Sequence, residues 1–80
     1  MRPSLQNLYE LQTMLEDLPE FLTSFRKQAR ITQEELAEEL GVTASSVSED
    51  ERGRYSHGGL DRLKQVINAL IRLSHKKNIH

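Results

Sequence analysis

A glycine set between two short amphipathic segments constrains the fold of this chain more than any other feature. The preceding segment carries an apolar face at the three- and four-residue spacing of a helix, formed by Leu36, Ala37 and Leu40. Gly41 is expected to end that helix, because glycine readily adopts the left-handed conformation of a tight helix exit. Thr43 is a preferred N-cap for the next helix, in which Val47 faces inward. Two short helices joined by such a turn predict a helix-turn-helix unit.

Length and composition indicate one compact all-α domain. The chain has 80 residues, of which 36% are hydrophobic and 29% are charged, and strand-forming residues are scarce. It contains no cysteine, which excludes disulfides and thiolate zinc sites. No apolar run approaches the roughly 18 residues of a membrane span. The N-terminus lacks the pattern of a signal peptide, so we expect a cytoplasmic protein.

Three further helices are predicted around this unit. Residues 1–18 form an amphipathic helix for packing or dimerisation, with a leucine stripe at Leu5, Leu8, Leu11, Leu15 and Leu18. We predict that this helix breaks before Pro19, because the residue preceding a proline avoids the helical conformation, and that Pro19 opens a second helix. The last helix begins near Leu60. The expected domains are this N-terminal helix, a helix-turn-helix domain at residues 19–74 and a frayed tail at residues 75–80.

Four pieces of sequence in a fixed order carry a family resemblance. They are TQEELAEELGVT, SSVS, ERGR and, after a loop, a closing apolar helix. Over roughly residues 22–70 the chain resembles the helix-turn-helix domain of the Cro/C1-repressor family, also called the xenobiotic-response-element family. The stretch DERGRYSHGGLDRLKQVINAL is also similar to small archaeal regulators. The resemblance implies a lambda-repressor-like five-helix bundle that binds double-stranded DNA as a transcriptional regulator.

The resemblance also assigns DNA contacts to residues of both motif helices. It places the recognition helix at about residues 43–52, in the major groove. The base-facing residues would be Thr43, Ala44, Ser45, Ser48 and Glu49, and the phosphate contacts would be Gln33, Ser46, Arg52 and Arg54. It further implies a structural ion pair between Arg26 and Glu51. Most of the base-facing side chains are short, so we expect a modest sequence readout.

Asp50 departs from the pattern of the family. Its position, three residues after Val47, normally holds a large apolar side chain that faces the core. A buried carboxylate is costly unless it is paired, so we consider three explanations: an ion pair with a nearby cation such as Arg54 or Arg30, a weakening or engineered substitution, or a change from DNA to a protein partner. If the carboxylate is buried, Asp50→Leu should raise the thermal stability.

The charge pattern leaves two function classes open. The net charge is −1, but the basic residues are concentrated in residues 52–80, where they could attract a phosphate backbone. We expect double-stranded DNA as the partner and a homodimer formed through the N-terminal and last helices. The alternative is a protein-interaction module, such as a bridging factor or antitoxin, with weak or no DNA binding. The chain contains no catalytic motif, metal-ligand set or cofactor loop, so we expect neither an enzyme nor a small-molecule substrate.

Overall fold

The computed structural model of the protein describes residues 4–78, which form four α-helices and no strand. The helices are α1 (Leu5–Gln28), α2 (Gln33–Leu40), α3 (Ala44–Arg52) and α4 (Gly59–Lys76). The predicted five-helix bundle is therefore wrong, because the expected first and second helices are one continuous helix. The outermost residues of the predicted N-terminal helix and tail, 1–3 and 79–80, lie outside the described residues, and α4 itself extends to Lys76.

Pro19 lies inside α1 without ending it. A proline in a helix interior lacks the N–H that would bond to the carbonyl four residues earlier, which here belongs to Leu15. Two nearby contacts support the helix around this defect. The Thr23 hydroxyl donates to the Pro19 carbonyl at 3.2 Å, and the Arg54 guanidinium donates to the Glu16 carbonyl at 3.0 Å. Packing of the following turns against the core then keeps the second half of α1 helical.

The ends of α2 are defined by local hydrogen bonds that the sequence specifies. Thr32 and Glu35 form a reciprocal capping box at the N-terminus, with bonds of 2.9 and 3.0 Å between each side chain and the other residue's backbone N–H. Gly41 ends the helix at a φ of +75°, a conformation that costs glycine little. The Thr43 hydroxyl accepts from the Ser46 N–H at 3.1 Å and so begins α3 two residues later.

One hydrophobic core joins the four helices and fixes the orientation of α3. Each helix contributes to it, and its fully or nearly fully buried members are Leu22, Ile31, Leu36, Ala37, Val47, Tyr55, Val66, Ala69, Leu70 and Leu73. Helix α2 packs against both α3 and α4, while α1 contacts α3. Because Val47 is 1% exposed, the opposite face of α3 necessarily points to the outside of the domain.

Candidate nucleic-acid interface

A bidentate ion pair fixes the C-terminal half of α3 against α1. The Arg26 Nε and Nη2 atoms donate to the two carboxylate oxygens of Glu51 at 2.6 and 3.0 Å, and Nη1 donates to the Ile31 carbonyl at 2.9 Å. Both side chains are less than 10% exposed. Removing one partner of such a pair leaves a buried charge and typically costs about 3–5 kcal/mol. The ion pair that the resemblance implied is therefore present, and it links the two helices rigidly.

Gln33 extends this network to the N-terminus of α2. Its Nε2 atom donates to the Glu51 carboxylate at 2.9 Å, and the side chain is half-buried. An amide NH2 group has two N–H donors, and this bond uses one of them. Gln33 is thus held next to α3 in a defined orientation.

The outward face of α3 contains the residues that were expected to face the bases. Thr43, Ser45 and Glu49 are exposed, whereas Ala44 and Ser48 are half-buried. Ala44 packs partly against the core, so only part of its methyl group is accessible. The exposed face is consequently small and polar, with hydroxyl groups near its N-terminal end and one carboxylate a turn further along.

In the first turn of α3, helix capping occupies one backbone N–H group and one hydroxyl oxygen. The Thr43 hydroxyl oxygen accepts from the Ser46 backbone N–H, so that N–H points toward Thr43 and away from any phosphate. A contact from Ser46 to DNA would have to use its hydroxyl group, which is half-buried. The hydroxyl proton of Thr43 remains available, because an N-cap hydroxyl uses only its oxygen as the acceptor.

The acidic triplet of α3 is largely neutralised by ion pairs. Glu51 is paired with Arg26, and the Asp50 Oδ2 atom lies 3.1 Å from the Nε atom of Arg62 in α4. The partner of Asp50 is therefore neither Arg54 nor Arg30. Asp50 and Arg62 have side chains that are 18% and 20% exposed, and Oδ2 lacks a partner with hydrogen-bond geometry within the described part of the chain. Glu49 is left as the exposed carboxylate of the triplet.

An open cleft between α1, α2 and α3 brings two cations to the edge of the recognition face. It is lined by Thr23, Arg26, Lys27, Gln33, Ser48, Glu51 and Arg52. Lys27 and Arg52 are exposed, and both line the same cleft as Gln33. Thr23 and Lys27 were not among the site residues that the sequence predicted. The expected ion pair of Arg26 with α3 contained the signal, since it brings the neighbouring residues of α1 to the same place.

Arg54 takes a different position from Arg52. It has a φ of +54°, and its guanidinium donates to the Glu16 carbonyl of α1. Glu16 is seven residues before Thr23, or about 10 Å along the helix axis. The two arginines therefore lie in different places. Arg52 lines the cleft, and Arg54 binds α1 near Pro19.

Tyr55 is buried in the core directly after Arg54. Its ring is 5% exposed, and its backbone N–H donates to the Asp50 carbonyl at 2.8 Å. Burial, with a smaller contribution from the negative charges of Glu51 and Asp50, raises the pKa of the Tyr55 phenol to about 12. Tyr55 thus contributes a large side chain to the core, and its backbone is bonded to Asp50, the position at which the resemblance predicted an apolar residue.

The basic residues at the end of α4 are paired with α2. Arg72 and Lys76 bind Glu39 at 3.0 and 3.2 Å, and Lys77 binds Glu35 at 3.0 Å. These interactions lower the pKa of Glu39, mainly through Arg72, and that of Glu35, mainly through the Thr32 backbone N–H. Four of the seven basic residues of the C-terminal third, Arg62, Arg72, Lys76 and Lys77, therefore pair with carboxylates of the domain, whereas Arg52 lies exposed at the cleft.

The fold and the cleft define a helix-turn-helix protein. The sequence model of the helix-turn-helix domain family matches residues 17–73. This match covers well over half of the chain, so the chain belongs to this family. Comparisons with curated proteins and with solved structures gave no match. Over residues 4–78, no helix is long and apolar enough to cross a membrane, and no group of three or more histidine or acidic residues could hold a metal ion.

Proposed function

We propose that this protein is a small, non-enzymatic transcriptional regulator of the Cro/C1 type that binds specific sequences in double-stranded DNA. Helix α3 enters the major groove with Thr43, Ser45 and Glu49 toward the bases. The phosphate contacts come from the cleft, where Gln33, Lys27 and Arg52 lie together. The family assignment supports DNA binding, and the protein acts as a homodimer on a nearly palindromic site.

The observation that carries this proposal is the arrangement of charge around α3. Two of its three adjacent carboxylates are compensated from inside the domain by Arg26 and Arg62. Two exposed cations, Lys27 and Arg52, lie at the edge of the same helix. An anionic backbone that follows this edge would meet positive charge, while the bases would meet hydroxyl groups and one carboxylate. Glu49 can accept a hydrogen bond from a cytosine amino group, which favours a site with cytosine at that position.

The test is the binding of the purified protein to labelled random duplex DNA, followed by fluorescence anisotropy at several salt concentrations. Log affinity should fall linearly with log salt, and each phosphate contact contributes about 0.9 to the slope. Lys27→Ala and Arg52→Ala should each weaken binding to all sequences and reduce the slope by roughly 1. Arg72→Ala is the matched control, because this exposed cation pairs with Glu39 away from the cleft. Equal losses in all three variants would contradict the assignment of the cleft.

The second candidate function is a protein-interaction module that keeps the same fold. The net charge of −1 and the exposed Glu49 favour it, since both oppose non-specific attraction to DNA. The absence of duplex binding even at low salt would support this alternative and reject the DNA proposal. Selecting a binding site from a random library separates the two further, because only a sequence-specific regulator enriches a motif.

A further inference from the structure

The N-terminal half of α1 extends beyond the helix-turn-helix domain and exposes a broad apolar surface. We call residues 5–16 the arm; all of them precede the segment that matches the family. The arm exposes Tyr9 at 56% and five large aliphatic side chains at 49–67%: Leu5, Leu8, Leu11, Met14 and Leu15. Contiguous apolar surface of this kind on a soluble protein marks an interaction site more often than chance exposure.

The apolar stripe of the arm continues without interruption into the core. Its residues alternate at spacings of three and four, which is the a/d pattern of a coiled coil: Leu8, Leu11, Leu15, Leu18, Leu22 and Phe25. Leu22 is 4% exposed, and Leu18 and Phe25 pack against the core. The stripe from Leu22 onward is therefore covered by the protein's own domain, Leu18 at the boundary is only partly covered, and the stripe from Leu8 to Leu15 has no cover among residues 4–78.

The charges of the arm indicate what covers it. In this heptad register the flanking e and g positions are uncharged, since they hold Leu5, Gln12, Asn7 and Met14. The acidic residues of the arm occupy outer positions, and residues 4–20 contain no basic residue. A basic partner helix would find no carboxylate beside the seam. A second copy of the chain, in contrast, meets an uncharged seam and turns its own acidic residues to solvent.

We propose that the arm pairs with the arm of a second copy in an antiparallel orientation. The helix-turn-helix domain lies on the same face of α1 as the stripe, because Leu18, Leu22 and Phe25 on that face pack against its core. Two parallel arms facing each other would bring both domains into the same space. In an antiparallel pair, the two domains lie at opposite ends of the paired arms, and each arm packs next to the domain of the second copy.

The heptad pattern also limits the register of this pairing, because a positions face d positions across an antiparallel seam. Of the registers that this rule allows, one buries all four leucines from Leu8 to Leu18, by placing Leu8 opposite Leu18 of the second copy and Leu11 opposite Leu15, and we assign this register to the dimer. The overlap from residue 8 to residue 18 is about 15 Å long. This inference deepens the homodimer part of the proposed function, and its tests use the protein without DNA, so that loss of the dimer and loss of DNA binding are scored separately.

Sedimentation velocity of the full chain over a range of concentrations tests the surface. Leu11→Glu in the arm should weaken the dimer at least tenfold, because it puts two carboxylates into one apolar seam. Ile71→Glu in α4 is the matched control, since Ile71 and Leu11 are both 49% exposed, and it should leave the dimer intact. Thermal melts should show both variants folded. A monomeric wild type, or an equal effect of the two substitutions, would overturn the proposal.

Disulfide cross-linking tests the orientation, and the chain is suited to it because it contains no cysteine. In the antiparallel register, two copies of Leu8→Cys hold their thiols about 15 Å apart, far beyond the roughly 4 Å between Cβ atoms that a disulfide allows. Leu8→Cys alone should therefore stay reduced, while a mixture with Leu18→Cys should form a heterodimer on oxidation. Self-cross-linking of Leu8→Cys, or no cross-link in the mixture, would reject the antiparallel arrangement. A dimer that passes both tests but does not bind DNA would reject only the proposed function.

Discussion

At the scale of single residues, the ion pair between Asp50 and Arg62 reverses the effect on stability that was expected for a substitution of Asp50. The sequence predicted that Asp50→Leu would raise stability, because an unpaired buried carboxylate is costly. The ion pair with Arg62 changes that balance, since the substitution now leaves a largely buried guanidinium alone. The sequence could not show this partner, because the 11 residues between Asp50 and Arg62 include a loop, and the path of that loop determines which cation reaches Asp50.

We therefore expect Asp50→Leu to destabilise the protein by about 1 kcal/mol, a value suited to a pair that retains some solvent contact. For a domain of this size the melting temperature should fall by roughly 4–8 °C. The double variant Asp50→Leu with Arg62→Met removes both charges, so its melting temperature should recover most of the loss. Circular dichroism melts measure all three. A higher melting temperature for the single variant would restore the original expectation.

At the scale of helices, the sequence specified boundaries well wherever the capping chemistry is local. Thr32 with Glu35, Gly41 and Thr43 each act within four residues of their own position, so their pattern could be read directly. The helix break predicted at Pro19 was wrong, because whether α1 continues through this residue depends on groups that are distant in sequence. The core holds the turns on the C-terminal side, and Arg54, 38 residues from Glu16, reaches back to the α1 backbone. Such long-range support has no local signature.

Pro19 should still cost stability although the helix continues through it. Alanine in a helix interior is favoured over proline by about 3 kcal/mol, a difference that already includes the greater freedom of the unfolded chain. Loss of the half-buried proline ring offsets roughly 1 kcal/mol of it. We expect Pro19→Ala to stabilise the protein by about 2 kcal/mol. Pro19→Gly should gain less than Pro19→Ala, since glycine is itself unfavourable in helices. Urea unfolding of both variants checks this order. A loss of stability in Pro19→Ala would show that packing of the half-buried proline ring outweighs the missing hydrogen bond.

At the scale of the whole molecule, the candidate site depends on charges that the domain balances internally. The sequence indicated the residue types, including Gln33 and Arg52, and the pairing of Arg26 with Glu51. It did not indicate which cations remain free, because that depends on how α4 lies across α2. In the structure, Arg72, Lys76 and Lys77 bind Glu39 and Glu35, while Lys27 and Arg52 are left at the cleft.

The ion pairs between α2 and α4 should make the stability of the molecule sensitive to acid. The pKa of Glu39 is lowered, chiefly by Arg72 and then by Lys76, so the folded state binds this proton less readily than the unfolded chain. The resulting stabilisation is present above the ordinary glutamate pKa of about 4.3 and is lost as the pH falls through the lower pKa of the folded state.

Glu39→Gln should accordingly lower the melting temperature at pH 7 and have a progressively smaller effect below about pH 4. The neighbouring Glu38→Gln is the matched control, because Glu38 is exposed on the same helix, and it should change the melting temperature little at either pH. Added salt should shrink the effect of Glu39→Gln at pH 7, since these pairs are partly open to solvent. Melts of the three proteins from pH 3 to pH 7 provide the comparison. If the Glu39→Gln and wild-type curves stay parallel over this range, the contribution of Glu39 comes from packing of its side chain, and its ion pairs with Arg72 and Lys76 do not help to hold α4 to α2.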